Sequence, residues 1–188
     1  ISFLDDGPEV AIDANTAGAV VTDESTQLGT TVTGTASILD YTTAASTGAD
    51  GGTTDVALQI DNATTGFKVT DGDYEITLVA DTNNNNIVYG QYTDGNGATQ
   101  TAFKVEIADD GKLSVTQNVA MVHPDSPTNY DEAINLDGKL SAVVTVTDGD
   151  DDVAEDSVSI GSSISFLDDG PEVAIDANTA GAVVTDES

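Results

Sequence analysis

Apolar and polar residues alternate with period two along many short stretches of this chain, and the alternating stretches are rich in Val, Ile and Thr. They are Val10–Asp13, Ala19–Thr22, Thr31–Ile38, Val56–Asn62, Tyr74–Ala80, Ile87–Tyr92, Thr101–Ala108, Lys112–Gln117, Ser141–Thr147 and Ser157–Phe166. A period of two places every second side chain on one face, which is the pattern of a half-buried strand. Asp-, Asn- and Gly-rich turns separate them, as at Asp71-Gly72-Asp73, Asp94-Gly95-Asn96-Gly97, Asp109-Asp110-Gly111 and Asp148-Gly149-Asp150. No stretch carries three turns of amphipathic helix. The pattern predicts an all-β protein: an antiparallel β-sandwich, immunoglobulin-like or cadherin-like, of about nine to ten strands. Residues 40–55 lack alternation and read as a long surface loop.

Residues 1–25 recur letter for letter as residues 164–188. Chance does not produce such identity, so the chain is expected to be an excerpt of a tandem array holding one 163-residue period and the start of the next. Gly-Pro breaks a strand and stiffens the exit, which places the unit boundary at Leu4-Asp5-Asp6-Gly7-Pro8 and again at Leu167-Asp168-Asp169-Gly170-Pro171. Residues 1–8 are therefore read as a linker and 9–167 as one repeat. Residues 168–171 are the next linker, and 172–188 begin a further repeat. The duplicated segment offers neighbouring identical repeats as partners. It also permits a head-to-tail strand exchange between molecules.

Composition sharpens this reading. The 188 residues include 34 acids, four lysines and no arginine, for a net charge of −30. That charge excludes direct binding of a nucleic-acid backbone. No apolar run approaches the roughly 18 residues of a membrane span, so no membrane insertion is expected in this segment. The absence of Cys removes disulfides and thiolate metal sites. Of the acids, 26 are Asp and eight are Glu. The short Asp carboxylate suits turns and oxygen-lined loops for hard cations.

The acids gather in three places: Asp5-Asp6 with its copy Asp168-Asp169, Asp23-Glu24, and Asp148-Gly149-Asp150-Asp151-Asp152. Asp71 and Asp73 form a smaller pair. Four carboxylates in five residues repel one another strongly unless a cation sits among them. All-oxygen donors in a flexible loop favour Ca²⁺ over Zn²⁺ and Mg²⁺. The candidate ligands are Asp5, Asp6, Asp23, Glu24, Asp148, Asp150, Asp152, Asp168 and Asp169. Val153 and Ser159 stand where an EF-hand has its Gly and its bidentate Glu, so the loop is not one. In a sandwich, the turn after Ser141–Thr147 lies at the pole where the first strand begins, beside Asp5-Asp6. The other pole gathers Asp23-Glu24 and Asp168-Asp169. Calcium there would fix the hinge between repeats.

The run from Leu140 through Val143-Val144-Thr145-Val146-Thr147-Asp148-Gly149-Asp150-Asp151-Asp152, followed by Ile164-Ser165-Phe166-Leu167-Asp168-Asp169-Gly170-Pro171, resembles the repeats of giant bacterial RTX adhesins exported by type I secretion. The segment Lys112–Pro124 is similar to them as well. The resemblance covers essentially the whole period. It implies a calcium-rigidified extender domain at the bacterial cell surface, stacked in many copies and projecting a terminal adhesion domain that serves cell adhesion and biofilm growth. Those repeats usually read DGDGD, and here Asp151 replaces the second Gly.

An enzyme is not expected. His123 is the lone histidine, it precedes Pro124, and it reads as a turn or packing residue. No nucleophile motif supports a triad. The rival reading is a carbohydrate-, peptide- or ice-binding module of such an adhesin, for which Thr30-Thr31-Val32-Thr33-Gly34-Thr35 could present a row of hydroxyls. Thr is also simply a good strand former.

Overall fold

The computed structural model describes residues 7–124 and 132–168. It is all-β and sandwich-like. The strands are β1 (Glu9–Ala14), β2 (Val20–Asp23), β3 (Thr31–Thr33), β4 (Leu39–Ser46), β5 (Gly52–Ile60), β6 (Thr64–Lys68) and β7 (Glu75–Ala80), then β8 (Ile87–Thr93), β9 (Thr99–Ile107), β10 (Leu113–Gln117), β11 (Ala133–Asn135), β12 (Leu140–Asp148), β13 (Val153–Ser159) and β14 (Ile164–Leu167). The one α-helical element among the described residues is a single turn, α1 (Glu24–Gln27).

One layer is a six-stranded antiparallel sheet in the order β3-β10-β9-β8-β7-β6. The other is built on β13-β12-β5, with β5 facing β7, β8 and β9 across the core. The β1-β4 pair lies alongside β13, where the Ile12 N–H donates to Asp156 Oδ2 at 2.8 Å. A third small sheet, β11-β14-β2, closes the core. Within it β14 and β2 run parallel, with Leu167 opposite Asp23, so the antiparallel expectation fails at this pair.

The core is continuous. Phe103, Phe166, Ile76, Ile107, Leu113, Leu136, Leu140, Ile160 and Ile164 are fully buried. Phe166 packs 4.9 Å from Phe103 and edge-on to Phe67 at 6.1 Å, centroid to centroid. β10 alternates strictly between buried and half-buried positions, as an amphipathic strand must. β12, the central strand of its sheet, is buried at every position from Leu140 to Val144, so both of its faces are covered there.

The sequence expectation is corrected in three places. Residues 40–55 are not a loop: they hold most of β4 and the start of β5. Both segments are largely exposed, so they carry backbone pairing without apolar alternation. Ser157–Phe166 is not one strand. Its first residues belong to β13, a 3-10 turn at Gly161–Ser163 interrupts the ladder, and β14 continues in another sheet. The strands number fourteen among the described residues, because β4, β6 and β11 were not expected and Ser157–Phe166 divides in two.

Candidate functional site

Two groups of potential metal-ligating side chains form among the described residues, and different sheets build them. Asp148, Asp150 and Asp152 make one; Glu24, His123 and Asp168 make the other. In each group the donor atoms lie within 4.8 Å of one another.

The first group caps the β12–β13 hairpin. Thr147 and Val153 are the last paired residues, and the Asp148 N–H still reaches Asp152 O at 3.0 Å. Asp148 is buried, and its Oδ1 accepts from the N–H of Asp152 at 2.9 Å and of Asp150 at 3.2 Å. This is the Asx arrangement that suits Asp to the head of a turn. Burial pushes the Asp148 carboxyl up, but these hydrogen bonds and the adjoining Asp150 carboxyl outweigh it and hold Asp148 below its ordinary value. Asp150 and Asp152 project into solvent. A Cβ on Gly149 would lie 2.8 Å from Asp50 O, so the main chain of the 47–51 turn packs against the loop. Carboxylates with a carbonyl beside them are the donor set of a hard cation, and Ca²⁺ fits it.

The topology sets this group at the pole where β1 begins. Asp148 is opposite Gly52, the 47–51 turn leads back to Ser46, and Ser46 is opposite Glu9. Asp5, Asp6 and Asp169 lie outside the described residues. Three of the four lysines are committed elsewhere: Lys68 to Asp73 and Glu75, Lys104 to Glu106, and Lys112 to Asp110. The Lys68 contact also accounts for the smaller Asp71/Asp73 pair, one of whose carboxylates is held by that ammonium.

The second group follows from the parallel pairing of β2 and β14. With Leu167 opposite Asp23, the next residue on each strand emerges at the same end, and those residues are Glu24 and Asp168. Asp23 does not join them. Its side chain caps α1, accepting from Ser25 N at 2.8 Å and Ser25 Oγ at 2.7 Å, and the Ser25 bonds hold its carboxyl below the ordinary range. Glu24 turns inward, its side chain only 2% exposed. Its Oε1 accepts from Met121 N at 2.7 Å and Gln117 Nε2 at 2.8 Å. Gln117 is itself held by Thr22, whose hydroxyl donates to Gln117 Oε1 at 2.7 Å.

His123 completes the group; of the two readings its sequence context offered, a turn or a packing residue, its burial fits the second. Its side chain is fully buried, and neither ring nitrogen has a hydrogen-bond partner among the described residues. Nε2 lies 3.5 Å from Glu24 Oε1, too far and too poorly directed for a hydrogen bond. Burial would lower the basicity of the ring, but Glu24, Asp168 and Glu132 outweigh it and hold the imidazole above its usual range. The sequence signal for this residue was slight: a lone histidine after the β10 pattern, with nothing to mark it as buried.

Two further surfaces bear on function. The hydroxyls of Thr31 and Thr33 pair across the β3–β10 ladder with Thr116 at 2.7 Å and Ser114 at 2.9 Å, so two hydroxyls of the Thr row are already engaged within the protein. A groove of about 590 Å³ is lined in part by Tyr74, Tyr92, Asp71, Asn96 and Gln100, with the two rings stacked at 6.0 Å.

The fold and its two polar clusters define an all-β, acid-rich, sandwich-like domain. The chain belongs to the family described as a domain of unknown function, DUF5801, whose model matches residues 19–161. The matched span takes in Glu24, His123 and the Asp148–Asp152 loop, while β1, β14 and Asp168 lie beyond it. No curated protein and no solved structure matches the chain.

Proposed function

We propose that this chain is a calcium-rigidified extender repeat of a large bacterial surface adhesin, one of a series of identical domains that project a terminal binding domain from the cell. One observation carries the reading: three carboxylates converge at the tip of the β12–β13 hairpin, at the pole where β1 begins. In this reading a preceding repeat enters there. The duplicated 25-residue segment supports the tandem arrangement. Calcium bound at the loop cancels part of its charge and ties the hairpin to the incoming linker. In this reading the domain works mechanically and is not an enzyme.

The test is a calcium titration of the chain and of an Asp150→Asn/Asp152→Asn variant. The variant is expected to lose at least about tenfold in affinity or one equivalent of calcium, against a starting affinity in the range of extracellular modules, about 10⁻⁴–10⁻³ M. Unchanged affinity and stoichiometry would overturn the assignment of the loop.

A second reading, a ligand-binding module within such an adhesin, is favoured by the groove with stacked Tyr74 and Tyr92 beside amide and carboxylate groups. Aromatic faces with polar groups around them suit a carbohydrate. Retention on a glycan surface, lost on Tyr92→Ala, would shift the assignment to this reading.

A further inference from the structure

We propose that Glu24, His123 and Asp168 form a buried binding site for a transition-type divalent cation, with Zn²⁺ as the reference ion, separate from the Asp148 loop. The observation that points to a ligand is the histidine. A fully buried imidazole with neither nitrogen hydrogen-bonded among the described residues is rare in a folded protein, because a buried polar atom without a partner carries its full desolvation penalty. Here the ring faces two carboxylates whose oxygens, with one of its nitrogens, lie within 4.8 Å of one another. A bound cation gives the ring nitrogen a partner between the two carboxylates.

The surroundings are those of a held ligand set. Met121 N and Gln117 Nε2 both donate to Glu24 Oε1, fixing the carboxylate, and Thr22 fixes Gln117 in turn. Hydrogen bonds of this kind orient ligands at metal centres. The Asp168 N–H donates to Glu132 O at 3.2 Å, which fixes the backbone that carries the third ligand. Three donors no more than 4.8 Å apart all lie within about 2.8 Å of a common point. Small side-chain rotations bring them to the roughly 2.0–2.2 Å of zinc ligation.

The donor set selects the ion. Ca²⁺ and Mg²⁺ prefer all-oxygen sites, whereas an imidazole with two carboxylates suits Zn²⁺ and its first-row neighbours. The site therefore differs in chemistry from the hairpin loop, and it stands or falls independently of the calcium reading.

A single histidine makes the test direct. Long-range ¹H–¹⁵N spectra of the intact chain are recorded in millimolar CaCl₂ while Zn²⁺ is added. One ring nitrogen of His123 is expected to shift and to saturate at one equivalent. In calorimetry, His123→Gln and Asp168→Asn are each expected to weaken this Zn²⁺ binding at least tenfold and to leave the Ca²⁺ response of the Asp148 loop in place. Asp150→Asn/Asp152→Asn is expected to leave the Zn²⁺ signal in place. Asp168→Asn keeps the test valid if His123→Gln fails to fold, since Asp168 is only half-buried. Imidazole resonances unmoved by Zn²⁺, or Zn²⁺ affinity unchanged in a folded His123→Gln or Asp168→Asn, would overturn the proposal and leave His123 as a buried ring beside two acids.

Discussion

At the scale of single residues, Asp151 shows how the hairpin loop is built and what it costs. Its φ is +72°, in the left-handed region that glycine adopts freely and other residues reluctantly. It is the backbone shape that Gly would favour. Replacing Asp151 by Gly is expected to raise stability in chelator by about 0.5–1 kcal/mol, because it relieves that conformation and removes one charge from the cluster. Asp151→Ala should lower it. Urea unfolding in chelator measures both, and a Gly variant no more stable than the parent would contradict this account. Residues of this loop were legible in the sequence, since Asp-Gly-Asp-Asp-Asp is a local pattern and local patterns determine turns. His123 was not. Its burial depends on where the segment after β10 settles against the end of β2, which joins residues about a hundred positions apart.

At the scale of elements, the strands with one apolar face were readable, and those lacking such a face were not. β1, β2, β7, β8, β9, β10 and β12 appear where alternation predicts them. β4 pairs at a sheet margin with the short β1, and the first four residues of β5 are exposed, so selection for apolar alternation is absent there. β6 reads Thr-Thr-Gly-Phe-Lys and bulges against β7, so it shows no apolar alternation, and β11 spans three residues, too few for a period to register. The break between β13 and β14 was hidden because both halves look extended, and only the change of sheet separates them. That change matters for the boundary of the unit. β14 lies within the second copy of the duplicated segment, yet it pairs with β2 and β11 and sends Phe166 into the core. Phe166→Ala is therefore expected to cost about 3–5 kcal/mol, measured by chemical denaturation. A cost below about 1 kcal/mol would mean that β14 is no part of the cooperative unit.

At the scale of the whole molecule, charge dominates. One period retains 28 of the 34 acids once the six of the second copy are set aside, against four lysines, for a net of −24. Self-repulsion of this size weakens the compact state. Divalent cations bound at the proposed sites would oppose it both by neutralisation and by mass action on the folded form. The two clusters differ in how they were foreseen. Strand order inferred from the sequence set the Asp148 loop at the pole where β1 begins and Asp23-Glu24 with Asp168-Asp169 at the other, but the parallel pairing of β2 with β14 that brings Glu24 beside Asp168 was not expected. The capping of α1 by Asp23 was not foreseen either, because helix capping competes for the same carboxylate over one turn of chain.

The most direct test of the calcium account is the thermal melt of this chain in chelator, in millimolar CaCl₂ and in millimolar MgCl₂. The account predicts a melting temperature raised by at least about 10 °C with Ca²⁺, more than the 2–4 °C that about 1 kcal/mol brings to a domain of this size, and little change with Mg²⁺. Equal melting temperatures in all three would contradict it and leave the acid cluster as a solvated turn.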